Sequence, residues 1–397
     1  MSVTTPQGFK AAGVPAGLKH SGAKDIALVV NDADPRHAAA AAVFTSNRFA
    51  AAPVRLSREH IGAALNGFTV PRAVVLNSGG ANACTGERGY EDAVAMAEHT
   101  ADELGLRREE VLVCSTGLIG ALLPMDRVTA GITNAVAELG STPACAQAAA
   151  EAIMTTDTVP KQAWASGGGG KYTSGAMVKG AGMLAPELAT MLAVITTDAL
   201  VDGPSAQQAL ERACEYSFNR IDSDGCMSTN DTVVLLASGA SNYQPNPQEF
   251  TAHLTSLAQD LARRLIADAE GAHHEIAVTV TGALTEEGAL AVGRGIVRSN
   301  LFKTAIAGND PNWGRILAAA GTVPTEVAPF DPDSVDVLVE GVMVARAGGL
   351  GEPREAVNLA GRHLALTIDL HAGAAQATIW TNDLTHDYVS INADYSS

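Results

Sequence analysis

One stretch constrains this chain more than any other: the compact apolar run Met191-Leu192-Ala193-Val194-Ile195 and the segment that leads into it. That segment, Lys179-Gly-Ala-Gly-Met-Leu-Ala-Pro-Glu-Leu-Ala-Thr190, contains Gly180, Gly182 and Pro186, which argue against a helix reaching the run. A short apolar run bounded in this way reads as a buried strand. Thr190 then stands at the strand's entrance. A chain break before it would leave it at a rigid new N-terminus, where its hydroxyl can act as nucleophile and its freed α-amine as base. The residue pattern alone favours the plainer role of an ordinary strand position, because Thr is a good strand former.

The chain has 397 residues, enough for two or three domains or one large α/β body with an appendage. Hydrophobic residues make up 47% and charged residues 17%, which fits a soluble, well-cored globule. Aromatics are only 4%, so Ala, Val, Leu and Ile must build the core. The net charge of −17 sets phosphate repulsion against nucleic-acid binding, and no basic cluster offsets it. The first ten residues lack the apolar core of a secretory signal. No stretch approaches the roughly 18 to 20 apolar residues a membrane span needs. Cys84, Cys114, Cys145, Cys214 and Cys226 are scattered, with no zinc-type spacing. Together these features predict a cytoplasmic enzyme with reduced, mostly buried thiols.

Strands are expected at Ile26–Val30, Ala41–Phe44, 72–77, 110–114, 233–237 and 275–281, and helices at 90–104, 144–153, 204–220, 250–269 and 289–297. Residues 316–375 should alternate short strands with one helix at 353–362. Several polar stretches interrupt this pattern. Ser115-Thr116-Gly117-Leu-Ile-Gly120 follows a strand and reads either as a helix-capping turn or as a hydroxyl and a glycine amide aimed at one oxygen. Met154-Thr155-Thr156-Asp-Thr158 follows the alanine-rich helix. Ser166-Gly-Gly-Gly-Gly-Lys171 fails as a phosphate loop, since Ala165 replaces the first glycine and Tyr172 follows the lysine; a hairpin tip is the better reading. Residues 222–232 collect Asp, Ser, Thr and Asn, the composition of a hydrogen-bonded turn that can line a polar site. Glu270, after a helix C-terminus, is poorly placed for the helix dipole and so has either a surface or a separate task. Gly308-Asn-Asp-Pro-Asn-Trp-Gly-Arg315 reads as a fixed turn whose arginine can anchor a carboxylate or a carbonyl.

These stretches, with the C-terminal Asp383–Ser397, occur in the order found in the ornithine acetyltransferase (glutamate N-acetyltransferase) family of arginine biosynthesis, and the chain resembles that family from about residue 7 to its end. The resemblance implies a layered α-β-β-α body of the type shared with N-terminal-nucleophile-like aminopeptidases, plus a smaller C-terminal α/β module from about residue 245. It implies self-cleavage between Ala189 and Thr190 into chains 1–189 and 190–397, pairing as (αβ)2. It places the acetyl group on Thr190, the oxyanion hole at Thr116 and Gly117, and substrate contacts at Thr155 or Thr156, Lys179, Glu270, Asn392 and Ser397.

The implied reaction takes acetyl from N2-acetyl-L-ornithine to L-glutamate in a ping-pong cycle, with acetyl-CoA a second donor in some members and no metal or organic cofactor. Lys179 is the candidate partner of the substrates' α-carboxylate, and Glu270 of ornithine's side-chain cation. Two rivals remain at this stage. A self-cleaving amidohydrolase or aminopeptidase of the same fold would use water as acceptor, and a non-catalytic small-molecule binder would leave the chain uncut.

Overall fold

The computed structural model describes residues 2–185 and 191–394. The apolar run becomes the strand Leu192–Thr197, the middle member of a five-stranded sheet ordered Ala39–Phe44, Thr232–Ala237, Leu192–Thr197, Tyr172–Lys179, Lys161–Gly167. It pairs antiparallel with Tyr172–Lys179 and parallel with Thr232–Ala237. A four-stranded sheet runs Phe9–Val14, Ile26–Asn31, Ala73–Gly80, Val111–Leu118.

Side chains alternate across a strand, and that alternation builds the layers. Leu192 and Val194 point to one face, where they share a core with Val29, Leu76 and Leu112 of the four-stranded sheet. Ala193 and Ile195 point to the other, against Leu210 of the Gly203–Glu215 helix and Leu254, Leu257 and Leu261 of the Pro247–Ala267 helix. The outer face of the four-stranded sheet is covered by Met96 of the Gly86–Leu104 helix and Ile132 of the Met125–Ala137 helix. The body is therefore the expected α-β-β-α sandwich. Alanine is the commonest single residue in the layer between the sheets, and each fully buried Val, Leu or Ile there adds about 1.5–3 kcal/mol.

A six-stranded sheet, ordered Gly349–Leu350, Val342–Arg346, Asp336–Val339, His363–Asp369, Glu275–Ala283, Ala375–Asn382, holds a separate core with the helices Glu286–Val297, Asn300–Ala307 and Trp313–Ala320. The helix expected at 353–362 is absent; only a 3-10 turn, Arg354–Ala356, occurs there. Val357 and Leu359, two residues apart, both pack on this core, an extended spacing that a helix could not provide. Of the 308–315 stretch expected as a fixed turn, residues 308–312 form the turn while Trp313, Gly314 and Arg315 begin a helix that Asn312 caps; Arg315 Nη1 donates to the Leu301 carbonyl at 2.7 Å. Among the described residues no helix is long and apolar enough to cross a membrane.

Candidate active site

Both sheets of the sandwich end at one edge, and the polar stretches meet there. The Val111–Leu118 strand runs on through Ser115, Thr116 and Gly117, pairing them with Asn77, Ser78 and Gly79. The capping-turn alternative is thereby set aside. Gly117 has φ +125°, and a Cβ on it would lie 2.6 Å from the Gly79 carbonyl carbon. Only glycine fits that close approach of two strands. Across the inter-sheet gap, Lys179 closes the Tyr172–Lys179 strand, fully buried, and its Nζ donates to Thr116 Oγ1 at 3.1 Å. A second bridge between the sheets is the Asn230 amide, which donates to the carbonyls of Ala81 at 2.6 Å and Ser115 at 2.8 Å.

A cavity opens at this edge. Thr116, Gly117, Thr155, Thr156, Lys179, Glu270 and Asn392 all line it. Every expected site residue that the structure describes is thus in one place, brought there from separate parts of the chain. Thr155 and Thr156 both line the cavity. Ala189, Thr190 and Ser397 lie outside the described residues. Glu270 stands three residues beyond the Pro247–Ala267 helix; its amide donates to Ala181 O at 3.0 Å, and its Oε2 accepts from Asn392 Nδ2 at 2.8 Å. Asn392 comes from the terminal helix His386–Asp394, which lies along the cavity with Tyr388 also in its lining.

Three aspartates that the sequence reading did not single out hold the site's frame. Asp157 Oδ1 accepts the Lys161 ammonium at 2.6 Å and the Gly180 amide at 2.7 Å, while Oδ2 accepts the Thr155 amide at 2.9 Å. Lys161 also pairs with Asp268 at 2.5 Å. Burial would push the Asp157 carboxyl up, but the charges of Lys179 and Lys161 with these hydrogen bonds hold it below the usual carboxylate range. Asp224 accepts the amides of Met183 at 2.7 Å and Cys226 at 3.1 Å, and burial raises its pKa to about 6. Asp231 Oδ1 accepts the Met191 amide at 2.9 Å; burial drives this carboxyl well above its ordinary range, against that hydrogen bond, the charge of Lys179 and the nearby Ser228 side chain. Its Oδ2 makes no well-formed hydrogen bond among the described residues. Lys179 itself is lowered, first by burial and against the pull of Asp157.

The connection between the strands Tyr172–Lys179 and Leu192–Thr197 is therefore gripped by carboxylates on both shoulders, at Gly180, Met183 and Met191. The sequence signal for these three residues was compositional only: Asp157 within Met154–Thr158, and Asp224 and Asp231 within the 222–232 cluster. The cysteines depart from expectation. Cys114 and Cys214 are buried, but Cys84 and Cys226 are exposed and Cys145 is half-buried. Cys226 sits in a polar loop and lines the cavity, where its partners are backbone and carboxylate groups and not an apolar core.

The ArgJ family model matches residues 10–397. The arginine biosynthesis bifunctional protein ArgJ of Bifidobacterium longum is 55% identical, and that of Thermobifida fusca 53%, each alignment covering 100% of both chains. Among solved structures, ornithine acetyltransferase of Mycobacterium tuberculosis complexed with ornithine is 44% identical over 48% of this chain and 96% of its own, with a TM-score of 0.41. With a family model spanning nearly its whole length and relatives more than half identical from end to end, the chain belongs to the ArgJ family of arginine biosynthesis.

Proposed function

We propose that this chain is a self-cleaving acetyltransferase that carries the acetyl group of N2-acetyl-L-ornithine to L-glutamate through an acetyl-Thr190 intermediate, and that acetyl-CoA serves as a second donor. The observation that carries the reading is the meeting of Thr116, Gly117, Thr155, Thr156, Lys179, Glu270 and Asn392 in one cavity. The bifunctional name borne by the relatives supports the second donor.

Thr190 Oγ attacks the Ala189 carbonyl, the peptide passes to an ester by an N→O acyl shift, and water hydrolyses that ester. The products are chains 1–189 and 190–397, and the proposed assembly is (αβ)2. The freed α-amine, with an ordinary pKa near ~7.7–8.0, then works as base close to neutral pH. In the first half-reaction Thr190 takes the acetyl group and ornithine leaves as the amine. In the second, the glutamate α-amine attacks the acetyl ester. Thr116 and Gly117 stabilise the oxyanion of both tetrahedral intermediates. Lys179, buried and hydrogen-bonded to Thr116, pairs with the α-carboxylate common to both substrates. Glu270, steadied by Asn392, meets the ornithine ammonium, and Ser397 joins the substrate contacts.

Intact mass and N-terminal sequencing test the cleavage; two fragments are expected, the second beginning Thr190-Met191-Leu192. Acetyl transfer assayed with and without glutamate tests the reaction. A single uncut chain, or acetylornithine hydrolysis at the same rate without glutamate, overturns the reading. Size-exclusion chromatography with light scattering tests the assembly.

A further inference from the structure

Acetylornithine and glutamate share an α-carboxylate and an α-nitrogen. Once those ends are held in the same way, the remaining end is an ammonium in the donor and a carboxylate in the acceptor. A pocket of fixed charge would favour one of them strongly, yet a ping-pong cycle passes both through the same space.

The cavity lining contains two carboxylates, Glu270 and Asp224, set along one two-residue stretch. A Cβ on Gly182 would come within 2.7 Å of Glu270 Oε1, and the next amide, that of Met183, donates to Asp224 Oδ2. Their surroundings differ. Glu270 lies in the field of the Lys179 ammonium. Asp224 makes no ion pair among the described residues, whereas its neighbour Asp222 is paired with Arg298 at 2.7 Å. The groups facing Asp224 are Asp222 and Cys226 from its own loop, Lys303 from the Asn300–Ala307 helix, Tyr388 from the terminal helix, and the Met183 amide. Lys303, hydrogen-bonded to Ser223 O and Thr381 Oγ1, favours the charged form of Asp224, but this is the weakest of the influences on it and burial outweighs it.

We propose that Asp224 adapts the pocket to both substrates: it faces the donor's ammonium as a carboxylate, and takes up one proton from solvent when the acceptor's carboxylate replaces that ammonium. No bond other than O–H forms, and the proton returns to solvent when the next donor binds. Protonated Asp224 donates a charge-assisted hydrogen bond to the acceptor in place of a repulsion. The burial-raised pKa of about 6 suits this task. A carboxyl raised in this way still carries its charge at pH 7 when ornithine needs it, yet is protonated more readily than an exposed aspartate. The inference rests on the donor and acceptor proposed above.

Titration calorimetry of glutamate into the cleaved, unacetylated enzyme at pH 7, in buffers of different ionisation enthalpy, tests it. The expected result is uptake approaching one proton per glutamate and close to none per ornithine. Asp224→Asn should abolish the uptake, raise KM for acetylornithine by roughly tenfold or more, and flatten the pH dependence of the glutamate KM between pH 6 and 8. A readout without mutation uses carbon-13-aspartate-labelled wild type, in which a protonated-carboxyl infrared band carrying the isotope shift should appear when glutamate binds. An enzyme that transfers acetyl to glutamate but binds it without proton uptake, or a variant with unchanged uptake, overturns this proposal alone. Absence of any transfer to glutamate in the wild type overturns the reading beneath it as well.

Discussion

Asp157 accepts the Gly180 amide at 2.7 Å through the same oxygen that takes the Lys161 ammonium at 2.6 Å. One carboxylate thus fixes the first residue after the Lys179 strand and neutralises a buried lysine. Asp157→Asn leaves Lys161 with Asp268 alone and removes the strongest of the negative charges facing Lys179. Breaking a buried pair on one side costs about 3–5 kcal/mol, and unfolding by urea should show a loss near the lower end of that range. The pH dependence has a definite sign. A carboxyl held low in the fold binds fewer protons folded than unfolded, so its stabilisation is present at neutral pH and is lost as pH falls below about 4. The variant should therefore show a shallower loss of stability on acidification than the wild type.

Lys303 gives a slope of the same sign at the alkaline end of the pH range. Burial lowers its pKa to about 8, against the attraction of Asp222, Asp224 and Asp383. Between that value and the ordinary lysine range the unfolded chain binds more protons, so this residue's contribution to stability rises as pH climbs from 8 towards 10. The cost below pH 8 is on the order of 3 kcal/mol. Lys303→Met should remove that rise, read from urea midpoints across the same pH series. It should also loosen the Ser223 loop by removing its hydrogen bond.

Gly117→Ala places a methyl group 2.6 Å from the Gly79 carbonyl carbon on a backbone with φ +125°. The two strands must part at the end where Thr116 stands. A lost oxyanion donor typically lowers kcat by about 100- to 1,000-fold. We expect a fall of that size in acetyl transfer with little change in circular dichroism, and a rate within a few-fold of wild type would remove Gly117 from the oxyanion site.

Gly182→Ala probes Glu270 without altering it. The added Cβ would sit 2.7 Å from Oε1 and 2.8 Å from Oε2, so the carboxylate has to move. KM for acetylornithine should rise several-fold with kcat nearly unchanged, the pattern of a lost uniform binding contact. An unchanged KM would place the ornithine cation elsewhere.

Runs such as Ile26–Val30 and Met191–Ile195 announced their strands because burial on both faces leaves a continuous apolar signature that local sequence displays. The same logic failed at 353–362, where Val357 and Leu359 are extended and the surrounding polar residues gave no period to contradict a helix. The cavity residues were legible through family-like motifs such as Ser115–Gly120 and Asp268–Gly271. Asp157, Asp224 and Asp231 were not, because a buried carboxylate has no periodicity. Its role appears only once folding sets Gly180, Met183 and Met191 beside it. Lys303 was hidden for the same reason: in sequence it is one more charged residue.

The Leu192–Thr197 strand is zipped on one side to Tyr172–Lys179 and on the other to Thr232–Ala237. If the covalent link before Met191 is cut, the sheet keeps every one of these ladders, but unfolding becomes the separation of two molecules. Its midpoint should then depend on protein concentration, rising as the solution is made more concentrated. An uncut variant such as Thr190→Ala should show a weaker concentration dependence, because fewer chains separate on unfolding. The maturation event would thus leave the native sheet intact and change the molecularity of its unfolding, making dilution itself a destabilising agent for the mature protein.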